Sequence, residues 1–469
     1  MRTLTVVLII HFFLLGCQAK SVLLKPSHEK GADEGEVFLY AQPFPQEAER
    51  LSFSIQGISA VRDDGTEFPL SLRLSEFESR EIRSQRQVAS GMLPQGRYAG
   101  FSFTVRKASL KTEEGDANLL VPAEPVMTPF IFDVRKEKAY VFSLSFNYAQ
   151  SIKGGLSFSP AFSVFFPERP VVSLIGYVAN HDSNNITVFD KKTMQVTGFI
   201  TTGRKPSGMA FDRERKRAYV TLSGDDSVDV IDITTGEVIN SIPLSPGDRP
   251  QEPAITPDKT VLLTANTGSD TVSLIDPAGF IELSRIPVDT GPHSIVVDPA
   301  GKRAYVFNTL SGTITVIDLA SSSVAATMST DPAPIRGQFN KEGDRLYVIH
   351  EWSSYVTVID PFSLSVLNRI RIGMGASALK LDTRTNHLYV GKRDDTLLEE
   401  YDPFSYMPID YIKGEEGVSY LTIDNEENNL YLAIPGKKIV MIVDIISKKA
   451  LSRMDVGEGP YWVTIMGER

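Results

Sequence analysis

The chain has 469 residues, more than one ordinary domain usually takes, and 42% of them are hydrophobic, enough to build a sizeable core. Its formal net charge is -10 and no cluster of Lys and Arg appears, which excludes a protein built to bind the nucleic-acid backbone. The single cysteine, Cys17, excludes an intrachain disulfide, a CxxC pair and a CxxCH haem-attachment site, and the six histidines show no HExxH spacing.

The first 17 residues have the pattern of a secretory leader. After Met1-Arg2, residues 4–16 are almost wholly apolar, but this run is shorter than the roughly 20 residues that a membrane span needs. The run ends in Leu14-Leu15-Gly16-Cys17, which resembles the bacterial lipobox. The resemblance implies that residues 1–17 are a lipoprotein signal peptide and that Cys17 is acylated. The residue after the cysteine is Gln18 and not Asp. By resemblance to the sorting rules of Gram-negative lipoproteins, this favours an anchor in the outer membrane. An ordinary signal peptide with a chance cysteine is the alternative.

Residues 18–35 are polar and predict a flexible tether. Residues 36–168 predict a small antiparallel β-sandwich, because aromatic or branched residues alternate with polar ones in several short runs. These runs are residues 37–40, 51–55, 98–105, 129–134, 139–146 and 162–166. The charged stretch 76–88 predicts a short helix or a long loop, and residues 167–170 (PERP) predict a stiff linker.

Two stretches of this region resemble a family of bacterial lipoprotein domains of unknown function. The first is LPQGRY at residues 93–98 with FSFTV at 101–105, and the second runs from Phe132 through Asn147 to Ser151. The resemblance implies a transthyretin-like sandwich and no activity.

From residue 171 onward one pattern recurs seven times. A Tyr-Val-x-Asn-like strand is followed by a polar turn, an alternating strand and, 13 positions after its first residue, an Asp. The first residues, spaced by 42 or 44 positions, are Tyr177, Tyr219, Leu263, Tyr305, Tyr347, Tyr389 and Tyr431. Each unit contains four short strands with turn residues between them, which predicts a propeller blade. Each closing Asp is expected to hydrogen-bond the turn that follows it.

The sequence therefore predicts an all-β fold, with a seven-bladed propeller over residues 171–469. The first repeat has no innermost strand in register, whereas residues 461–465 (YWVTI) are left over. We expect this last strand to complete the first blade and so to pair an open sheet edge. The repeats resemble the YVTN-type propeller family, whose relatives include haem d1-binding domains, lactonases and amine-dehydrogenase subunits.

In this fold, ligand sites usually lie where the inner strands begin and the Tyr-Val strands end. The register brings three neighbouring blades together there, with a cluster of charged and aromatic residues. These candidate ligand-binding residues are His293, Arg336, His350, Glu351, Trp352, Lys392 and Arg393. Their cations are expected to create a local positive field for an anionic or sugar-like ligand. The alternative is that they are ordinary solvated loop residues in salt bridges.

Catalytic motifs are missing from the sequence: it has no GxSxG elbow, no P-loop and no cysteine other than Cys17. The leading hypothesis is a non-catalytic binding or interaction module at the cell envelope, with a protein, a polysaccharide or an anionic small molecule as its partner and without cofactor or metal. The rival is a periplasmic enzyme or cofactor-binding subunit of the lactonase or haem d1 kind. In that case His293 and His350 are the candidate axial ligands.

Overall fold

The computed structural model describes residues 33–113, 115–415, 417–424 and 426–468. Cys17, the predicted leader and most of the predicted tether lie outside the described residues. No helix within these ranges combines the length and the apolar character that crossing a bilayer requires.

The N-terminal domain is built almost entirely of β-strands. Its described elements are β1 (Glu34–Ala41), β2 (Leu51–Arg62), β3 (Glu67–Leu72), β4 (Glu76–Glu78), β5 (Arg86–Pro94), β6 (Gly96–Thr112), β7 (Gly115–Leu119), β8 (Val126–Val134), β9 (Ala139–Phe146), helix α1 (Tyr148–Ser151), β10 (Ile152–Lys153), β11 (Ser157–Phe158) and β12 (Phe162–Phe165). All six predicted runs fall on strands, namely β1, β2, β6, β8, β9 and β12. Residues 76–88 form β4, a 3-10 turn (Ser79–Glu81), an irregular stretch and the start of β5, so the expected helix or loop covers only residues 79–85.

Apart from β10 and β11, which form a separate two-stranded sheet, these strands form one sandwich-like sheet with continuous hydrogen bonding. The order is β12-β9-β1-β5-β3-β2-β6-β7, with β4 and β8 attached to β2 and β6. The sheet folds over so that its two halves pack together, as Phe101 on β6 shows by meeting Phe142 on β9 with ring centroids 5.3 Å apart. The sheet is not purely antiparallel as predicted, because β1 pairs with β9 in parallel.

One glycine allows two strands of this domain to approach closely. Gly100 on β6 has φ +150, and a Cβ atom there would lie 2.2 Å from the carbonyl oxygen of Thr128 on β8. Any larger residue would separate β6 from β8, which explains the glycine within an otherwise aromatic strand.

Seven four-stranded sheets follow, and they are the predicted blades. Written from inner to outer strand, blade 1 is β40 (Pro460–Ile465), β13 (Ile175–Asn180), β14 (Asn185–Asp190) and β15 (Gln195–Thr201); blade 2 is β16 (Pro206–Asp212), β17 (Arg217–Leu222), β18 (Ser227–Asp232) and β19 (Glu237–Pro243); blade 3 is β20 (Pro250–Ile255), β21 (Leu262–Asn266), β22 (Thr271–Asp276) and β23 (Ile281–Pro287); blade 4 is β24 (Pro292–Val297), β25 (Arg303–Asn308), β26 (Thr313–Asp318) and β27 (Ser323–Ser329).

The remaining blades have the same construction. Blade 5 is β28 (Pro334–Phe339), β29 (Leu346–His350), β30 (Tyr355–Asp360) and β31 (Ser365–Arg371); blade 6 is β32 (Ala376–Leu381), β33 (Leu388–Lys392), β34 (Leu397–Tyr401) and β35 (Pro408–Lys413); blade 7 is β36 (Tyr420–Ile423), β37 (Asn429–Ile434), β38 (Ile439–Asp444) and β39 (Ala450–Asp455). Short 3-10 turns lie at Val172–Leu174 and Pro435–Lys437.

The predicted closure of the ring is confirmed. Strand β40 pairs antiparallel with β13, so that Tyr177 faces Thr464 and Val178 faces Val463. The last strand of the chain is therefore the inner strand of the first blade, and the two ends of the propeller are joined by backbone hydrogen bonds.

The repeated Tyr and Asp each have a structural role. The Tyr side chains are buried between blades, and those of Tyr219 and Tyr305 donate their hydroxyl hydrogens to carbonyl oxygens in the turn of the following blade, at 2.9 and 2.8 Å. The closing Asp accepts hydrogen bonds from the next turn, as Asp232 does from the backbone N–H groups of Thr234 and Thr235. The predicted role of the Asp is thus confirmed.

The repeated Asn ties the second strand of a blade to the third. The side-chain amides of Asn180, Asn266 and Asn308 donate to the hydroxyl group seven residues later, at 2.7 to 2.8 Å. A buried amide at this position would be costly without such a partner, so the Asn and the hydroxyl residue form a structural pair.

The N-terminal domain packs on the seam between blades 1 and 7. Phe38 of β1 stacks on Phe199 of β15, with ring centroids 3.8 Å apart. Asp455, which is buried, accepts hydrogen bonds from the Arg86 side chain and from the backbone N–H of Gln87. Since strands of both blades share one apolar cluster with β1 and β9, the domain covers the place where the ring is closed.

Candidate functional site

Chain direction decides which residues share a face of the propeller. The inner strand of each blade begins, and the second strand ends, on what we call the upper face; the turns between first and second strands and between third and fourth strands lie on the lower face. The seven candidate residues are at the upper ends of blades 4, 5 and 6, as the register predicts.

Arg336 reaches across the upper end of the central channel. From blade 5 its Nε donates to the Glu252 carboxylate of blade 3 at 2.7 Å, and its Nη1 donates to the carbonyl oxygens of Ser377 and Ser419 at 2.6 and 2.8 Å. Its guanidinium carbon lies 5.6 Å from the ring centroid of Tyr461, which belongs to blade 1. Arg336 thus holds five blades together and is itself 8% exposed.

His293 makes a second contact across the channel. Its Nε2 is 3.1 Å from the hydroxyl of Tyr461, and its Nδ1 is 3.9 Å from the Glu252 carboxylate. Burial lowers the pKa of His293, so the neutral ring is favoured. Beside Arg336, whose guanidinium carbon lies 5.1 Å from the ring centroid of Tyr420, the rings of Tyr420 and Trp462 stack with centroids 3.9 Å apart. Contacts from blade 4 to blade 1 must cross the axis, and the channel is closed at this level.

His350 and Lys392 occupy the position that Asn has in other repeats. His350 is fully buried with its Nε2 3.1 Å from the Thr330 hydroxyl, and burial lowers its pKa to about 4. Lys392 forms a salt bridge of 3.0 Å with Glu399, which lies seven residues later as the hydroxyl residue does in other blades. Lys392 therefore pairs the second and third strands of its own blade, whereas His350 contacts the segment that connects blade 4 to blade 5.

The expected positive field is wrong. Arg336 is paired with Glu252, Lys392 with Glu399, and Arg393 with Glu351 at 2.9 Å. Because each cation has a carboxylate partner and His350 is neutral near pH 7, these groups compensate one another instead of attracting an anion.

Trp352 differs from the other candidates because its side chain is exposed. It follows His350 in the turn of blade 5, and 61% of its surface is accessible. It borders a groove of about 290 Å³ between blades 4 and 5, and none of the described residues that line this groove is charged. The other lining residues are Thr309, Leu310, Ser311, Gly312, Ser329, Thr330, Pro332 and Ala333. An indole next to small hydroxyl and apolar groups makes a surface for a flat, uncharged ligand.

Four residues of the channel were not among the candidates. Glu252, Tyr420 and Tyr461 stand near the start of inner strands and are the partners of Arg336 and His293. Trp462 stacks on Tyr420. The sequence did offer a signal for Glu252, which stands near the start of the inner strand in the blade before that of His293. A carboxylate at this position faces the channel and, when buried, needs a cation as its partner.

A second cavity at the lower end of the channel was not predicted. Its volume is about 530 Å³, and Trp462 and Glu468 are among its lining residues. Glu468 is bonded to Lys380 of blade 6 at 2.7 Å. The sequence offers no signal for this pair, because Glu468 follows the last strand and has no counterpart in the repeat.

Comparison with known proteins supports the fold. A sequence-family model described as a YNCE-like beta-propeller matches residues 253–341, which span blades 3 and 4 and the inner strand of blade 5. No curated protein matches the chain.

Three solved structures illustrate the likeness. Hydrazine synthase of Kuenenia stuttgartiensis is 19% identical, with a TM-score of 0.53 over 58% of this chain and 92% of that one. A functionally unknown protein from Desulfotomaculum acetoxidans DSM 771 is 14% identical, with a TM-score of 0.54 over 62% and 98%. The dihydro-heme d1 dehydrogenase NirN, in complex with DHE, is 12% identical, with a TM-score of 0.51 over 64% and 77%. At these identities the likeness concerns the fold alone.

Proposed function

We propose that the protein is a non-catalytic binding module held at the cell envelope by an acylated Cys17, and that it binds an uncharged saccharide in the groove beside Trp352. The observation that carries the proposal is this exposed indole above a groove whose described lining residues are uncharged. Aromatic faces pack well against the C–H faces of sugar rings, while hydroxyl groups satisfy the polar edge.

The charge balance of the upper face supports a neutral ligand over an anionic one. An anion docking near Arg336 would have to replace Glu252, which is buried beside it. Removing one partner of a buried ion pair costs several kcal/mol, on the order of 3–5. The groove at Trp352 lies outside this network and needs no such exchange.

The haem d1 alternative fits these residues poorly. His293 is bonded to Tyr461 across the channel, and His350 is fully buried in its own blade. A ring bound along the channel axis would have to displace the contacts of Arg336 with Ser377 and Ser419.

The binding test uses an array of neutral and acidic oligosaccharides. We expect neutral ones to bind and the Trp352→Ala variant to bind about tenfold more weakly or worse, which corresponds to ~1.4 kcal/mol or more. Phe404→Ala removes a similarly exposed ring from the lower face and serves as the matched control. Binding of acidic oligosaccharides alone, or unchanged binding by Trp352→Ala, would show that the groove is not the site.

The anchor is tested separately. Acyl chains at Cys17 bury many CH₂ groups in the bilayer and give stable attachment when more than one is present. We therefore expect the Cys17→Ser variant to lose incorporated radiolabelled palmitate and to leave the membrane fraction or remain an unprocessed precursor. A variant that is still lipid-labelled would contradict the assignment.

A further inference from the structure

Three consecutive blades carry a large exposed apolar residue at the same place on the lower face. Phe362, Phe404 and Ile446 each stand two positions after the Asp that closes a repeat, and they are 73%, 84% and 74% exposed. In the other four blades this position is filled by Lys192, Thr234, Ala278 and Ala320. Since the turn forms with Lys, Thr or Ala, the fold does not require an apolar side chain there.

The turns hold these side chains outward. The backbone N–H groups of Phe362 and Phe404 donate to the carboxylates of Asp360 and Asp402, at 2.8 and 2.9 Å. In blade 7 the carboxylate of Asp444 accepts from Ser447 N at 2.6 Å. The carboxylates are occupied by their own turns, so the tips that project from the lower face are apolar.

Met407 extends this surface in blade 6. It lies just before β35 and is 62% exposed. We call Phe362, Phe404, Met407 and Ile446 the apolar rim. Exposed apolar groups that recur in register on neighbouring units mark an interaction surface.

The start of the described chain is linked to the lower end of blade 2. The carbonyl oxygen of Glu34 accepts a hydrogen bond from Glu137 N at 2.9 Å, and the next residue, Lys138, forms a salt bridge with Glu237. Glu237 is the first residue of β19, directly after the lower-face turn of blade 2. The chain that comes from Cys17 therefore joins the structure beside the lower face.

The distance to an anchored lipid is limited. Cys17 and Asp33 are sixteen positions apart, and an extended chain of that length spans at most about 55 Å. A bilayer that holds the lipid thus lies within about 55 Å of Asp33, close enough for the lower face to rest on it.

We propose that the apolar rim inserts into the boundary between headgroups and acyl chains of a lipid bilayer, so that the propeller rests on the membrane by its lower face. This inference relies on the envelope location in the proposed function. It orients the Trp352 groove away from the membrane, because that groove lies on the opposite face.

The test uses the chain that begins at Gln18, which keeps every described residue and carries neither leader nor lipid. Its sedimentation with vesicles of phosphatidylethanolamine and phosphatidylglycerol is compared with that of the triple variant Phe362→Ser, Phe404→Ser, Ile446→Ser. We expect the variant to partition into vesicles at least tenfold less, since apolar side chains provide the binding energy. Met374→Ser is the matched control, because Met374 is 58% exposed on the upper face and is not among the described residues that line the Trp352 groove.

Two results would overturn the proposal: absence of vesicle binding by the unsubstituted chain, or equal binding by the triple variant. Circular dichroism establishes that the triple variant is folded, and single substitutions, each expected to weaken binding a few-fold, provide the comparison if it is not. The chain that begins at Gln18 lacks Cys17, so its failure to bind vesicles leaves the acylation test and the saccharide test unaffected.

Discussion

Replacing His350 by asparagine is expected to remove a pH-sensitive weakness from blade 5. The imidazole is fully buried at the position that Asn fills in blades 1, 3 and 4, and the hydroxyl of Thr357 seven residues later is buried. In the neighbouring blade Asn308 donates to the corresponding Thr315 at 2.8 Å. We expect the side-chain amide introduced by His350→Asn to donate to Thr357 in the same way.

The magnitude follows from the pKa of His350, which burial lowers to about 4, against roughly 6.5 in the unfolded chain. Between these values the unfolded chain binds the proton and the folded chain does not. The contribution of His350 is therefore fully present above pH 6.5 and is lost as the pH falls toward 4. Integrated from pH 7 to pH 5, this loss is about 2 kcal/mol of unfolding free energy.

The assay is urea denaturation of both proteins at pH 7 and pH 5. Between pH 7 and pH 5, the unfolding free energy of the original protein should fall by about 2 kcal/mol more than that of the His350→Asn variant. All other titrating groups are common to both proteins. If His350→Asn shows the same pH dependence as the original protein, the assignment of this histidine as a buried neutral group is wrong.

Three further outcomes are expected. The Arg336→Ala variant leaves the Glu252 carboxylate buried without its cation, so its unfolding free energy should fall by about 3–5 kcal/mol. In a double-mutant cycle with Glu252→Gln, the loss for the double variant should be smaller than the sum of the two single losses. Truncation before Pro460 removes the inner strand of blade 1, exposes strand edges and should cause aggregation or loss of the cooperative transition, measured by light scattering during thermal unfolding. Phe38→Ala removes the ring that stacks on Phe199 and should lower the unfolding free energy by about 3–5 kcal/mol. Proteolysis between the two domains should become faster. An unchanged digestion pattern would contradict the packing of the domain on the seam.

The architecture of the propeller could be predicted from the sequence because it depends on patterns that are local in the chain. Four short strands and a Tyr, an Asn-like residue and an Asp recur at fixed spacing, and each has a role inside one blade or toward the next. The closure by residues 461–465 followed from the same register and is confirmed by the pairing of β40 with β13. In the N-terminal domain, alternation located the strands, but the parallel pairing of β1 with β9 depends on contacts between distant segments.

For the candidate site, the sequence alone determined the face and the blades of the seven residues, since equal repeat positions lie at equal heights around the ring. Only the tertiary structure decided their charge state and contacts. Glu252 lies 84 residues before Arg336. No local pattern predicts that side chains from two inner strands, two blades apart, meet across the channel. The same holds for the exposure of Trp352 and the burial of His350, two residues apart in sequence. Whether a side chain points into solvent or into the blade depends on what the neighbouring blades pack against it.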